Sequence, residues 1–415
     1  MTPQERHGWL IVASLFLVLL LVFGGGYNTV PVFLPALLKA FPSWSHQRVS
    51  ILASALAASA GLSILPVGWL VDRIEARIVM VGGAIAAGTA FLIASQSNAL
   101  APLIGAHVLL GFGIAAGTVL PASLVIANWF TERRGTAMGI ANAGSTTGGM
   151  VMTLVAGFLI RHWSWRVAYL TIGLPMIAIA APLVALMVRS RPPGTVKLTL
   201  AQSAELLPGY EVGRAVGTRS FWMIALANFC FAFAATGTLI HMVAHLEHVG
   251  YSPPDAALAI SFIFGFAAIG KVVMGLIADR LSARWALTID FVIQAVGIIL
   301  VFAIQFAVVA PIFVAIYGLT VAAPLMLLPL LTAESLGLKR FGFICGLTGL
   351  AQTFGATIGP LVSGRIFDVT NSYTTAFELC IVINLLGALA TFACKSYVAE
   401  SAPLAVITEP ASTGT

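Results

Sequence analysis

Long apolar runs alternate with short polar breaks twelve times along this chain. The runs cover roughly 9–38, 48–71, 78–97, 101–128, 136–160, 167–189, 220–246, 256–278, 285–306, 309–333, 342–366 and 375–397. Each has about the twenty residues or more that an α-helix needs to cross ~30 Å of hydrocarbon. The pattern predicts an all-α membrane protein with twelve transmembrane helices. The first run follows Arg6 and His7, as the core of a signal peptide would. It is too long for one and lacks a small-x-small cleavage site, so it is expected to stay in the mature protein.

The pattern also repeats. Gly68-Trp-Leu-Val-Asp72-Arg73-Ile-Glu75-Ala-Arg77 returns 207 positions later as Gly275-Leu-Ile-Ala-Asp279-Arg280-Leu-Ser282-Ala-Arg284. Gly139, Gly148 and Gly157 return at the same offset as Gly346, Gly355 and Gly364, and Ser45 as Ser252. Ser164-Trp165-Arg166-Val167-Ala168-Tyr169 lines up with Ser372-Tyr373-Thr374-Thr375-Ala376-Phe377 at an offset of 208. A duplicated six-helix unit follows: 1–189 and 220–397, with 190–219 as a Pro- and Gly-rich linker and 398–415 as a tail. A short surface helix is expected near 199–206, and Ser45 and Ser252 are expected N-caps. The nine-residue glycine spacing lets other helices approach closely, either as a seam between the halves or as ordinary bundle packing.

The repeated phrase resembles the loop motif between the second and third helices of each half in the major facilitator superfamily. Glu75 and Ser282 stand where that motif usually has Gly. The resemblance implies two pseudo-symmetric six-helix halves that rock about a central site. It also implies gating by Asp72, Arg73, Arg77, Asp279, Arg280 and Arg284, with Arg134 and Arg340 at the starts of the fifth and eleventh helices. An Asp in such a loop can bridge to a cation or sit at a helix N-terminus; the bland alternative is that the basic loops only set topology.

Composition narrows the class further. The chain is 59% hydrophobic and 9% charged, with mean hydropathy +1.00, outside the soluble range. Its formal charge of +6 comes from scattered basic residues, which argues against nucleic acid. Cys230, Cys345, Cys380 and Cys394 fall in apolar runs without metal or disulfide spacing. No Walker loop, haem ligand pair or catalytic domain is visible, so no cofactor, no metal and no enzymatic activity are expected. Of the 21 basic residues, fifteen fall on the face of the repeated loops and five (Lys39, Arg48, Arg161, Arg166, Arg365) on the other. The positive-inside rule then puts both termini in the cytoplasm, in a plasma membrane such as a bacterial inner membrane.

The basic residue left over is Lys271, four residues before Gly275. Eight residues before Asp279, it lies ~12 Å into the membrane. A Lys at that depth costs about 2.5–3.5 kcal/mol on insertion scales, so it reads as functional rather than decorative. Snorkelling or pairing with a carboxylate is the alternative, but the span itself holds no Asp or Glu before Asp279. Its counterpart in the first half is Ile64, so the repeat itself does not require a cation there.

A narrower resemblance rests on Gly111-Phe-Gly113-Ile-Ala-Ala-Gly117, on Trp129-Phe130-Thr-Glu132-Arg133-Arg134-Gly135-Thr-Ala137-Met-Gly139-Ile-Ala-Asn-Ala143-Gly144-Ser-Thr-Thr-Gly148, and on Lys271. These resemble the monocarboxylate porter and oxalate/formate antiporter group. That group places an Arg for the substrate carboxylate where Lys271 stands. Lys keeps the charge, loses the bidentate fork, and could also bear a proton. The antiporters' second cation in the eleventh helix has no match in 342–364, which favours a monocarboxylate over a dicarboxylate.

Other groups expected near a central cavity are Tyr27 and Asn28, after Gly24-Gly25-Gly26, together with Asn142, Ser145, Thr146, Tyr317, Thr320, Thr348, Gln352 and Thr353. Ser and Thr in membrane helices also bond to their own backbone. His241 and His245, one turn apart, are candidates for an outer proton port or for an interfacial belt. Asp290 and Glu378 read as structural or interfacial. The expected activity is proton-coupled symport of a small organic anion by a monomer in the lipid bilayer. Anion exchange, export of amphipathic compounds and a non-transporting receptor are the alternatives.

Overall fold

The computed structural model describes residues 3–44, 46–130, 132–190, 208–306 and 308–397. Among them, twelve helices are long and apolar enough to cross a membrane: α1 Glu5–Gly24, α2 Ile51–Val71, α3 Ala76–Gln96, α4 Leu100–Trp129, α5 Arg134–His162, α6 Trp165–Met187, α7 Arg219–Met242, α8 Leu258–Leu281, α9 Ala283–Ala303, α10 Val309–Leu336, α11 Phe341–Phe367 and α12 Thr374–Phe392. No strand occurs among the described residues, only an isolated bridge between Gly209 and Gly337. The protein is an all-α, twelve-helix membrane protein. Ser45, the expected surface helix near 199–206 and the tail from 398 lie outside the described residues.

The first apolar run is interrupted around Gly24-Gly25-Gly26 and Pro31. It is broken rather than one continuous helix. A π-helical turn covers Leu20–Gly24, and helix resumes at Val30–Ala40. Glycine disfavours helix and Pro31 lacks an N–H, so the stretch between them has little to hold it regular. Gly24 also brings α1 against α5: a Cβ there would lie 2.5 Å from Gly148 backbone. α4 and α10 are each interrupted once, at Thr118 and Ala322, with Pro121 and Pro324 in the turn that restarts them.

Ser252 caps the helix that contains α8, its hydroxyl accepting from the Asp255 amide at 3.3 Å. Within the first six helices α3 packs on α4, α2 on α4 and α1 on α5; within the last six α7 packs on α11 and α12, and α9 on α12. Across the two groups α5 packs on α8 and α2 on α11. The glycine ladder of α5 and α11 changes partners along its length. Gly139 and Gly346 abut Lys271 O and Ile64 O of the opposite half. Gly148 and Gly355 abut Leu20 O and Phe229 O of their own half, while Gly157 and Gly364 touch nothing tightly. The ladder is a seam at one end and bundle packing in the middle.

Candidate functional site

On the face that carries both Asp–Arg loops, the halves are locked by two copies of one arrangement. Asp72, just after α2, accepts from the amides of Gly342 at 2.8 Å and Phe343 at 2.9 Å, in the first turn of α11. Asp279, at the end of α8, accepts from the amides of Gly135 at 2.5 Å and Thr136 at 2.8 Å, in the first turn of α5, and from the Thr136 hydroxyl. Helix N-termini expose unpaired N–H groups and partial positive charge, so a carboxylate is the matching ligand. Gly68 and Gly342, and Gly275 and Gly135, let the backbones close: a Cβ on any of them would meet the partner's carbonyl oxygen at 2.2–2.4 Å.

The loop arginines do not bridge the halves in this way. Arg73 lies over the Trp69 ring, Arg77 pairs with Glu75 at 3.4 Å, and Arg284 lies between Trp285 and Phe392. Arg134 bonds the Phe130 carbonyl, Arg280 is exposed, and Arg340 holds Glu211 of the linker at 3.1 Å. Two of these groups also face the other half at longer range, Arg134 toward Glu334 and Arg340 toward Asp72. The interlock is therefore carboxylate to backbone amide, with the arginines orienting each loop on its own half. Burial pushes the Asp72 carboxyl up to about 6, against the lowering effect of its two amide bonds and Arg340.

Deeper in the same seam lies Lys271. Its side chain is 0% exposed. The Nζ crosses from α8 to α5 and donates to Ser145 Oγ at 2.7 Å and Asn142 O at 3.1 Å. Both acceptors are uncharged, and among the described residues no salt bridge involves Lys271. An ammonium buried with neutral acceptors alone is under-compensated, the condition that favours an anion. Ser145 Oγ in turn donates to Asn142 O at 2.8 Å. Asn28 Nδ2 donates to Ser145 O at 3.2 Å, which ties the broken part of α1 to the same turn of α5. Asn142 is fully buried, and its Oδ1 has no partner among the described residues. The repeat has an apolar version of this contact: Ile64 packs against Gly349, and these two stand at the positions of Lys271 and Asn142.

Four of the expected cavity groups thus gather: Lys271, Asn142, Ser145 and Asn28. Tyr27 is 40% exposed and stacks on Phe23, beside the cluster in sequence but not bonded to it. Tyr317 does not join them. It is buried inside the second half, stacked on Phe313, with its hydroxyl toward Ala235 O at 3.4 Å. Gln352 occupies the repeat position of Ser145, and among the described residues no contact joins it to Lys271. Thr146, Thr320 and Thr348 bond to their own helices. His241, at the far end of α7, and His245, one turn beyond it, sit in an aromatic nest with Tyr373 and Phe377; His241 Nε2 faces Pro360 O at 3.1 Å. Burial holds the His245 imidazole below its ordinary value. Sequence reasoning missed Gly135 and Gly342, whose signal was a further match at 207 positions.

The family model for the Major Facilitator Superfamily matches residues 15–265 and 224–410. Monocarboxylate transporter 13 of Bos taurus is 26% identical over 97% of this chain and 92% of its own length. Human monocarboxylate transporter 11 is 27% identical over 91% of this chain and 80% of its own. An uncharacterised MFS-type transporter of Bacillus subtilis is 22% identical over 94% and 95%. Among solved structures, the Escherichia coli fucose:proton symporter shares the fold, with TM-score 0.72 over 94% of this chain and 98% of that one at 14% identity. The chain therefore belongs to the major facilitator superfamily: it is a membrane transporter rather than an enzyme, resembling the monocarboxylate transporter group.

Proposed function

We propose that this protein carries a small monocarboxylate together with one proton, by alternating access, and that Lys271 holds the carboxylate. The observation that carries the reading is the Lys271 Nζ, fully buried at the seam of α5 and α8 with two uncharged acceptors. An arriving carboxylate displaces Ser145 Oγ and supplies the negative charge that this environment lacks. One cation matches one carboxylate, and no second Lys or Arg lies in 342–364 to match another. The named monocarboxylate relatives support the substrate class.

The halves, 1–189 and 220–397, rock about this seam, and residues 190–219 link them. The face with the Asp–Arg loops is cytoplasmic in this reading, with both termini on the cytoplasmic side of a bacterial inner membrane, and the carrier works as a monomer. The Asp72 and Asp279 interlock shuts that face in the conformer described here. A lone monocarboxylate entering against an inside-negative potential would cost about 2.3 kcal/mol per 100 mV. A co-transported proton removes that cost and links accumulation to the pH gradient. Uptake in proteoliposomes tests the site: Lys271→Ala should abolish carboxylate uptake while the protein stays folded, and Lys271→Arg should keep part of it. Undiminished uptake by Lys271→Ala would sink the assignment.

A further inference from the structure

Inside the second half, α9 and α12 enclose polar side chains that the transport site does not use. Asp290, Gln294 and Asn384 are fully buried. Among the described residues, both Asp290 oxygens, both Gln294 amide atoms and Asn384 Oδ1 lack a hydrogen-bond partner, while Asn384 Nδ2 donates to Cys380 O at 3.1 Å. Asp290 and Gln294 are one turn apart and share a face of α9. The two helices run antiparallel, with Thr288 Oγ1 meeting Thr391 Oγ1 at 2.9 Å and Gly387 packed on the Phe291 ring. That register brings Asn384 opposite Gln294.

The repeat shows that the fold does not need this cluster. The matching residues of the first half are Gly83, Ala87 and Met176, none of them polar in side chain. Nor does a neighbouring charge compensate Asp290. On α9 itself Arg284, six residues before it, lies between the Trp285 and Phe392 rings. On α8, Lys271 turns to α5 and Asp279 is taken up by the first turn of α5. On α10, Glu334 accepts from Ala283 N at the start of α9, and the Tyr317 hydroxyl faces Ala235. On α12, Glu378 is exposed, and Cys380 and Cys394 are thiols.

We propose that Asp290, Gln294 and Asn384 form a proton-binding site, and that it carries the coupling proton. One proton removes the charge and supplies the donor that the set lacks. A protonated Asp290 would donate to Gln294 Oε1 one turn along α9, and Gln294 Nε2 and Asn384 Oδ1, unbonded in this conformer, would pair on a small rotation of the amides. An ionised Asp290 would instead leave a buried charge with no partner, which is far costlier than a neutral acid. Asp290 lies two turns, ~10 Å, along α9 from the loop after Asp279. Closing the Asp279 interlock keeps that end of α9 dry and the proton bound; opening it admits water and releases the proton on the same face as the anion. The coupling role rests on the transport reading, whereas proton binding does not.

Infrared difference spectroscopy and proteoliposome flux separate the two claims. The wild type at neutral pH should show a protonated-carboxyl band that disappears in Asp290→Asn and shifts in Gln294→Met. Asp290→Asn should also lose pH-gradient-driven accumulation but keep carboxylate exchange. Absence of the band, its survival in Asp290→Asn, or its removal by sodium would overturn the proton site. Loss of the band with gradient-driven uptake intact would overturn the coupling role. If the wild type moves no carboxylate at all, the substrate reading fails and the infrared result still decides the site.

Discussion

The Asp72 carboxylate holds the Gly342 amide at 2.8 Å across 270 residues of sequence, and Asp279 repeats the arrangement on Gly135 at 2.5 Å. Each half thus supplies the anion that fills the helix terminus of the other. A rocking carrier needs a contact of this kind: strong enough to close one face, yet made of two bonds that can be lost together.

Replacing either carboxylate with an amide turns an NH2 donor toward one of the two backbone N–H groups and leaves a single oxygen to accept from both. Asp72→Asn and Asp279→Asn should each weaken the closed face by about 2 kcal/mol, roughly 30-fold in the ratio of the two conformers. Equilibrium affinity for substrate should change little. Spin-label distances across the two faces give the conformer ratio; a large affinity loss with unchanged distances would argue against a gate.

The same contact responds to pH, through Asp72 in particular. Burial raises its carboxyl from 3.8 to about 6 in the closed conformer. The closed conformer therefore binds the proton more tightly than one in which Asp72 is exposed. Its contribution to closure is fully present below 3.8 and is lost as pH rises through about 6. Acidification across that window should shift the distances toward closure in the wild type, and Asp72→Asn should flatten this part of the response.

Backbone proximity gives a graded series. A methyl group at Gly275 would meet Gly135 O at 2.2 Å, one at Gly346 would meet Ile64 O at 3.0 Å, and one at Gly82 would meet nothing within 4 Å. Gly275→Ala should hold the loop face open and slow transport severely. Gly346→Ala should do so mildly and Gly82→Ala not at all, as cysteine accessibility of the loop face would read.

Ser282 adopts φ 110, ψ 157, a region that is nearly the preserve of glycine. Its counterpart Glu75 has φ −57 and is unstrained. Ser282→Gly should raise stability by about 1–3 kcal/mol, seen as a higher thermal midpoint, whereas Glu75→Gly should not. Equal effects at the two positions would contradict the strain.

Sequence alone carried the twelve spans, because apolar length is a direct consequence of bilayer thickness. Lys271 stands out in sequence as an unmatched cation in a repeated apolar frame, and the structure buries it at the seam of α5 and α8. Sequence did not show that Asp72 and Asp279 would choose amides over arginines. That choice depends on two helix N-termini arriving within 3 Å, and the small residues that permit it, Gly135 and Gly342, have no polar signature of their own. Tyr317 was drawn toward the cavity by its hydroxyl, yet its ring packs inside the second half against Phe313. The orphaned cluster at Asp290 was invisible for a similar reason, since its members lie on two helices joined only by their register.

Carboxylate binding at Lys271 is the centre of the proposed transport function. Thermal unfolding of the purified protein, with and without short monocarboxylates and their neutral amides, reads that binding without requiring transport. The wild type should be stabilised by the acids in a concentration-dependent way and not by the amides, and Lys271→Ala should lose the response. Equal stabilisation of Lys271→Ala by the same acids would contradict the account.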